Sequence, residues 1–92
     1  MEPVDLDIGQ IVRSKAGRDK GKIFVVLGRV DAKHVLIVDG SLRRVDKPKK
    51  KQTKHLAKMN LVSNEIRAAI LNNEKISNGF IRREFERLGL KP

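Results

Sequence analysis

The residues of this chain best suited to chemistry are the cations of "RSKAGRDKGK", residues 13–22. Lys15, Arg18, Lys20 and Lys22 are spaced around Gly17 and Gly21, and Arg13 stands just before them. Glycine lets a backbone take positive φ and lets another backbone approach closely, as an anion-binding loop requires. Ammonium and guanidinium groups on such a loop pair with phosphate oxygens. A tight connection between two strands, with solvated charges, explains the glycines but not the basic bias. A nucleotide P-loop is excluded, because it needs four residues between its glycines and a Ser or Thr after Gly-Lys. Here three residues separate Gly17 from Gly21, and Ile23 stands where a magnesium-binding hydroxyl would be. ATP hydrolysis is therefore not expected.

A second basic cluster follows in "RRVDKPKKKQTK", with Arg43, Arg44, Lys47, Lys49, Lys50, Lys51 and Lys54. Lysines this dense repel one another and are more comfortable beside phosphate than alone. Two other readings stand beside that one: a solvated loop, or "KPKKK" as a nuclear import signal. Catalytic chemistry has no visible equipment. His34 and His55 lie far apart with no cysteine in the chain, too few ligands for a metal. No Ser-His-Asp set and no pair of carboxylates in apolar surroundings is present, so a non-enzymatic protein without cofactor or metal is expected. The aromatic residues are Phe24, Phe80 and Phe85, with no Tyr or Trp. Single-strand binders stack bases on aromatic platforms. With Phe24 expected inside a barrel and the other two in a helical core, recognition is expected to favour shaped, phosphate-rich RNA. The same scarcity disfavours a groove for proline-rich peptides.

The composition bounds these readings. A chain of 92 residues is one domain's worth, with room for a modest core. Its net charge of +10 and pI near 10.4 favour polyanionic partners, nucleic acid first and acidic membrane or protein second. The excess is concentrated: residues 10–58 hold fifteen Lys or Arg against four acids, and residues 59–92 six against four. The polyanion-facing surface is thus expected in the first two thirds. Absence of cysteine fits a reducing compartment. The opening "MEPVDLD" lacks the apolar core of a secretory signal, and the apolar runs are far too short to span a membrane. A small, soluble, cytoplasmic protein is the expectation.

Positioning such loops requires strands. "QIVRS" (10–14) is short and β-branched, and "KIFVVLGRV" (22–30) is too apolar to have a wet face, so it reads as a strand buried on both sides. "DAK" (31–33) makes a turn and "HVLIVD" (34–39) the next strand. Asp39-Gly40 is a strong hairpin signal, which makes "SLRRV" (41–45) the return strand. Pro48 should stop any continuation, and "KHLAK" (54–58) offers a last short strand. Such a series of short strands predicts a small closed or nearly closed barrel. The period then changes. Ser63 or Asn64 caps a helix to about Asn72, with Ile66, Ala69 and Ile70 on one face. A second helix has Ser77 as N-cap, an Ile76–Ile81 staple and an apolar stripe of Ile81, Phe85 and Leu88. Gly89 suits its left-handed C-terminal position, with Leu90 folding back onto Phe85. The organisation expected is a barrel over residues 1–60 and a helical hairpin appendage over 61–92.

The stretch "IGQIVRSKAGRDKGKIFVVLGRVDAKHVLIVDG" resembles the KOW motif: strand, glycine-bearing loop, apolar strand, with Gly21 at the hallmark glycine. Continuing through "LRR" and "KHL", the chain resembles a large-subunit ribosomal protein family of archaea and eukaryotes. Over its full length it is similar to the small stand-alone KOW-domain RNA-binding proteins of Gram-positive bacteria. The helical tail departs from the ribosomal relatives. The resemblance implies a mainly β fold with C-terminal helices: an SH3-like, five-stranded barrel followed by a two-helix hairpin. It also implies binding of ribosomal RNA, or of a transcription complex in other branches, largely through the loop matched by residues 14–22. The expected function is a non-catalytic RNA-binding protein acting on the ribosome or its assembly. The chain is expected to be monomeric when free, with ribosomal proteins as further partners and no membrane or small-molecule substrate. Two alternatives remain: a protein-interaction module of the transcription or translation machinery, docking through a barrel edge or the hairpin, and a DNA-binding helix-turn-helix at 63–88. The near-neutral charge of that hairpin argues against the latter.

Overall fold

β-branched residues over 10–38 build three consecutive strands in the computed structural model, which describes residues 6–90: β1 (Gln10–Ser14), β2 (Ile23–Arg29) and β3 (His34–Val38). They are followed by β4 (Lys49–Gln52), a 3-10 turn at Thr53–His55, β5 (Leu56–Val62), and the helices α1 (Asn64–Leu71) and α2 (Asn78–Arg87). The opening "MEPVD", expected to be no secretory signal, lies outside the described residues. No described helix is long and apolar enough to cross a membrane.

The strands form one antiparallel sheet in the order β4-β3-β2-β1-β5. β4 and β5 occupy opposite edges, yet only the three residues of the 3-10 turn join them. A flat five-stranded sheet would hold its edges about 19 Å apart, whereas one such turn advances about 6 Å. The sheet therefore curls into a barrel-like form. Irregular register at Val26/Gly28 and Gln10/Val12 supplies bends of the kind bulges produce. The turn is tied to both sides: Thr53 N–H donates to Lys33 O and Lys15 N–H to His55 O, each at 2.8 Å.

Because side chains alternate along a strand, β2 feeds two cores. Phe24 and Val26 face inward with Leu6, Val12, Val35, Ile37 and Leu56. Val25 faces outward with Ile11 and Val38, where Ile66, Ile81 and Phe85 of the helices cover them. The expectation of a strand buried on both faces is met over Phe24–Val26. The helices thus supply the outer layer of the core, and residues 60 and 61 both lie within β5. Leu6, in the stretch just before β1, is fully buried in the inner core.

Three expectations need correction. "SLRRV" is not a strand. The Asp39 carboxylate accepts from the Ser41 and Arg43 N–H groups at 2.8 and 2.9 Å and turns the chain locally instead. Gly40, at φ +79°, is the seat of α2: a Cβ there would lie 2.8 Å from Asn78 O. Arg82 Nη1 donates to Gly40 O at 2.7 Å, and Val45 N–H donates to Asn78 Oδ1 at 2.9 Å. The return strand is "KKKQ", which begins directly after Pro48, so that proline precedes the strand rather than ending one. The last strand is also longer than expected, running to Val62 rather than Lys58.

Both helices start as expected. Ser63 Oγ accepts from Ile66 N–H, and Ser77 Oγ from Phe80 N–H. α2 ends with Leu90 N–H donating to Phe85 O and Gly89 N–H to Glu86 O, the paired closure that a left-handed residue permits. α1 ends the same way with Asn73 in the left-handed position.

One buried carboxylate joins the helices. Glu84 Oε1 accepts from Ser63 Oγ at 2.9 Å and Arg87 Nη2 at 2.8 Å, and Oε2 accepts from Arg87 Nε at 3.0 Å. The Arg87 hydrogen bonds hold the Glu84 carboxyl below the usual glutamate range; burial opposes them and Ser63 assists. A carboxyl lowered on folding contributes stability above its unfolded pKa, and that contribution is lost as pH falls through the folded one. Glu84→Gln is expected to cost about 1–3 kcal/mol at pH 7. The gap from wild type should narrow as pH falls below the usual glutamate range. Urea unfolding of both proteins at pH 7 and pH 3 checks this; an equal gap at both would mean that the charge contributes nothing.

Candidate nucleic-acid interface

Residues 15–22 connect β1 to β2. Ser14 N–H donates to Lys22 O at 2.9 Å and Gly21 N–H to Ser14 O at 2.8 Å, closing the base of the loop. Within it Lys20 N–H reaches Gly17 O and Lys22 N–H reaches Asp19 O, while Ser14 Oγ donates to Ala16 O. Gly17 and Gly21 sit at φ +79° and +87°, a conformation a β-carbon would strain. Lys15, Arg18, Lys20 and Lys22 are all exposed, and none is ion-paired among the described residues. The loop is thus a turn of fixed shape with four free cations.

The structure brings part of the second cluster against this loop. Arg43 Nη2 and Nε donate to Asp19 Oδ2 at 2.9 and 3.2 Å, and Lys51 Nζ donates to Ala16 O at 3.0 Å. These two cations point at the loop itself. Lys54 belongs to the 3-10 turn whose His55 carbonyl holds Lys15 N–H, so it neighbours the start of the loop. Arg13 is exposed on β1 between Ile23 and Ala57. Arg44, Lys47 and Lys50 are exposed and Lys49 is half-buried. Arg44 lies 3.9 Å from the exposed Asp46, a contact worth little in solvent.

A cleft of about 410 Å³ opens between Lys33, His34, Gln52, Thr53 and Lys54. Lys33, in the segment "DAK" that reads simply as a turn, thus lies beside Lys54 on this cleft. His34 Nδ1 lies 2.9 Å from Asp31 Oδ1, and that hydrogen bond is the main cause holding the Asp31 carboxyl below its usual range. The lysines of β4 also have a purpose independent of any ligand. β4 is an edge strand, and lysine on an edge opposes pairing with another sheet.

As expected, the aromatic residues are committed to packing: Phe24 to the inner core, Phe85 and Phe80 to the outer one. None offers bases a platform beside the loop. The N-terminal end of α2, which a helix-turn-helix would insert into a groove, is packed on Gly40 and bonded to Val45. Among the described residues no group of three His, Cys, Asp or Glu could hold a metal. No protein-family model matches the chain, and no curated protein matches it.

Proposed function

We propose that this chain is a non-catalytic RNA-binding protein of the KOW class, built on an SH3-like barrel and acting on ribosomal RNA or the ribosome. A four-strand meander, a 3-10 turn and a fifth strand returning to the first is the connectivity of SH3-like barrels, which supports that part of the reading. The observation that carries the function is the loop: four cations with no ion-pair partner among the described residues, on a fixed turn, in a protein of net charge +10. Phosphate is the ligand chemistry such a surface fits. RNA shape rather than base identity is the recognised feature, since no aromatic platform faces the loop. The ribosomal assignment rests on the resemblance of residues 8–40 and their continuation to the KOW families.

Neutralising four to six phosphates gives a log–log salt slope of roughly −3 to −5 for the binding constant. Titration of a structured ribosomal RNA fragment at several salt concentrations measures that slope. Salt-insensitive association would overturn the reading.

A further inference from the structure

The loop that carries these cations contains one acid, Asp19, and it is the loop's one buried residue, 5% exposed. A carboxylate among cations lowers the potential that attracts phosphate. Burying it also costs free energy unless it is paired. The structure shows the pairing: both Arg43 donors converge on Asp19 Oδ2, across 24 residues of sequence. The main-chain carbonyl of Asp19 meanwhile accepts Lys22 N–H at 2.9 Å. Asp19 is therefore held from the side by the 39–48 connection while it holds the second half of its own loop.

We propose that Asp19 and Arg43 are positioning residues for RNA binding. Their ion pair fixes the loop in the shape that presents Lys15, Arg18, Lys20 and Lys22, and Arg43 itself contacts no phosphate. The inference rests on the RNA-binding reading above and adds what gives that site its form. Its consequence has a distinctive sign. If binding were a matter of net charge alone, removing Asp19 would strengthen it. If Asp19 holds the loop, removing it weakens binding, because apparent affinity falls with the fraction of molecules whose loop is in the competent shape.

The test compares wild type, Asp19→Ala and Arg43→Gln on a short hairpin RNA with an A-form stem, over a range of salt concentrations. Backbone 15N relaxation of residues 15–22 is recorded on each free protein. Both variants are expected to bind about tenfold more weakly with the wild-type salt slope, the same phosphates being met by a loop that must first be ordered. Their loop amides should become mobile while those of β1 and β2 do not. Asp19→Asn, which keeps shape and an acceptor but not charge, is expected to fall between wild type and Asp19→Ala, and serves if the alanine variant does not fold. Equal or tighter binding by Asp19→Ala would overturn the inference. So would a slope shallower by about one for Arg43→Gln, the mark of a lost phosphate contact. Wild type that fails to bind RNA in a salt-dependent way would overturn the functional reading instead, and loop relaxation would still decide whether the pair orders the loop.

Discussion

Reversing two loop charges, Lys20→Glu with Lys22→Glu, is expected to weaken RNA binding on the order of 100-fold near 0.1 M salt. Both side chains are exposed and without an ion-pair partner among the described residues, so thermal stability should not change. Two of the four free cations become anions beside the same phosphates, and the salt slope should become shallower by about 1.5. Fluorescence anisotropy of labelled RNA at several salt concentrations measures both quantities. Binding that survives with an unchanged slope would move the contact surface away from this loop. The pair also separates the two functional classes. A protein-interaction module docking through a sheet edge or the helices would keep its partner through the same substitutions.

Phe85→Ala is expected to have the largest effect on stability. Phe85 lies in the cluster that joins α1 and α2 to Ile11, Val25 and Val38 of the sheet. Truncating a buried phenylalanine costs about 3–5 kcal/mol, against total stabilities of about 5–15 kcal/mol for domains in general. Sheet and helices should therefore unfold together at a much lower denaturant concentration. Circular dichroism followed through urea, with hydrogen exchange at Val25 and Val38, reads this directly. Helices that melt while the sheet stays protected would show that the hairpin is dispensable. By the same physics, a chain ending at Val62 would leave Ile11, Val25 and Val38 facing water and is not expected to fold.

The parts legible in the sequence were those decided locally. β1, β2 and β3 announce themselves by β-branched residues, and α2 by its cap, staple and terminal Gly89. β4 was not legible. Lys49–Gln52 has low strand preference, and its conformation comes from pairing with Val35, Leu36 and Ile37. Asp39-Gly40 was misread for a related reason. A glycine tolerates both a hairpin turn and a helix pressed against it, and only the tertiary structure distinguishes them. In the site, the sequence marked the cations and the glycines that shape their backbone. It did not disclose that Arg43 and Lys51 turn inward, because such pairing is fixed by distances across the fold. The one available signal was Asp19, an isolated acid in a basic loop, which is out of place there unless something holds it.

The place of β1 in the sheet sets an order in time. Its partner on one side, β2, is made almost immediately after it. Its partner on the other side is β5, with Gln10 meeting Val62 and Ser14 meeting Leu56, so some forty to fifty residues intervene. During synthesis β1 must wait with one row of main-chain groups unmatched until that later strand has emerged, and closing so long an interval is the slower kind of step. The cationic loop experiences the same delay. Its base is closed by neighbours as soon as Lys22 exists, but Arg43 and Lys51 reach it only after the third and fourth strands are made. A nascent chain therefore carries its loop cations before it carries their final arrangement, and the last helix decides when the molecule becomes native.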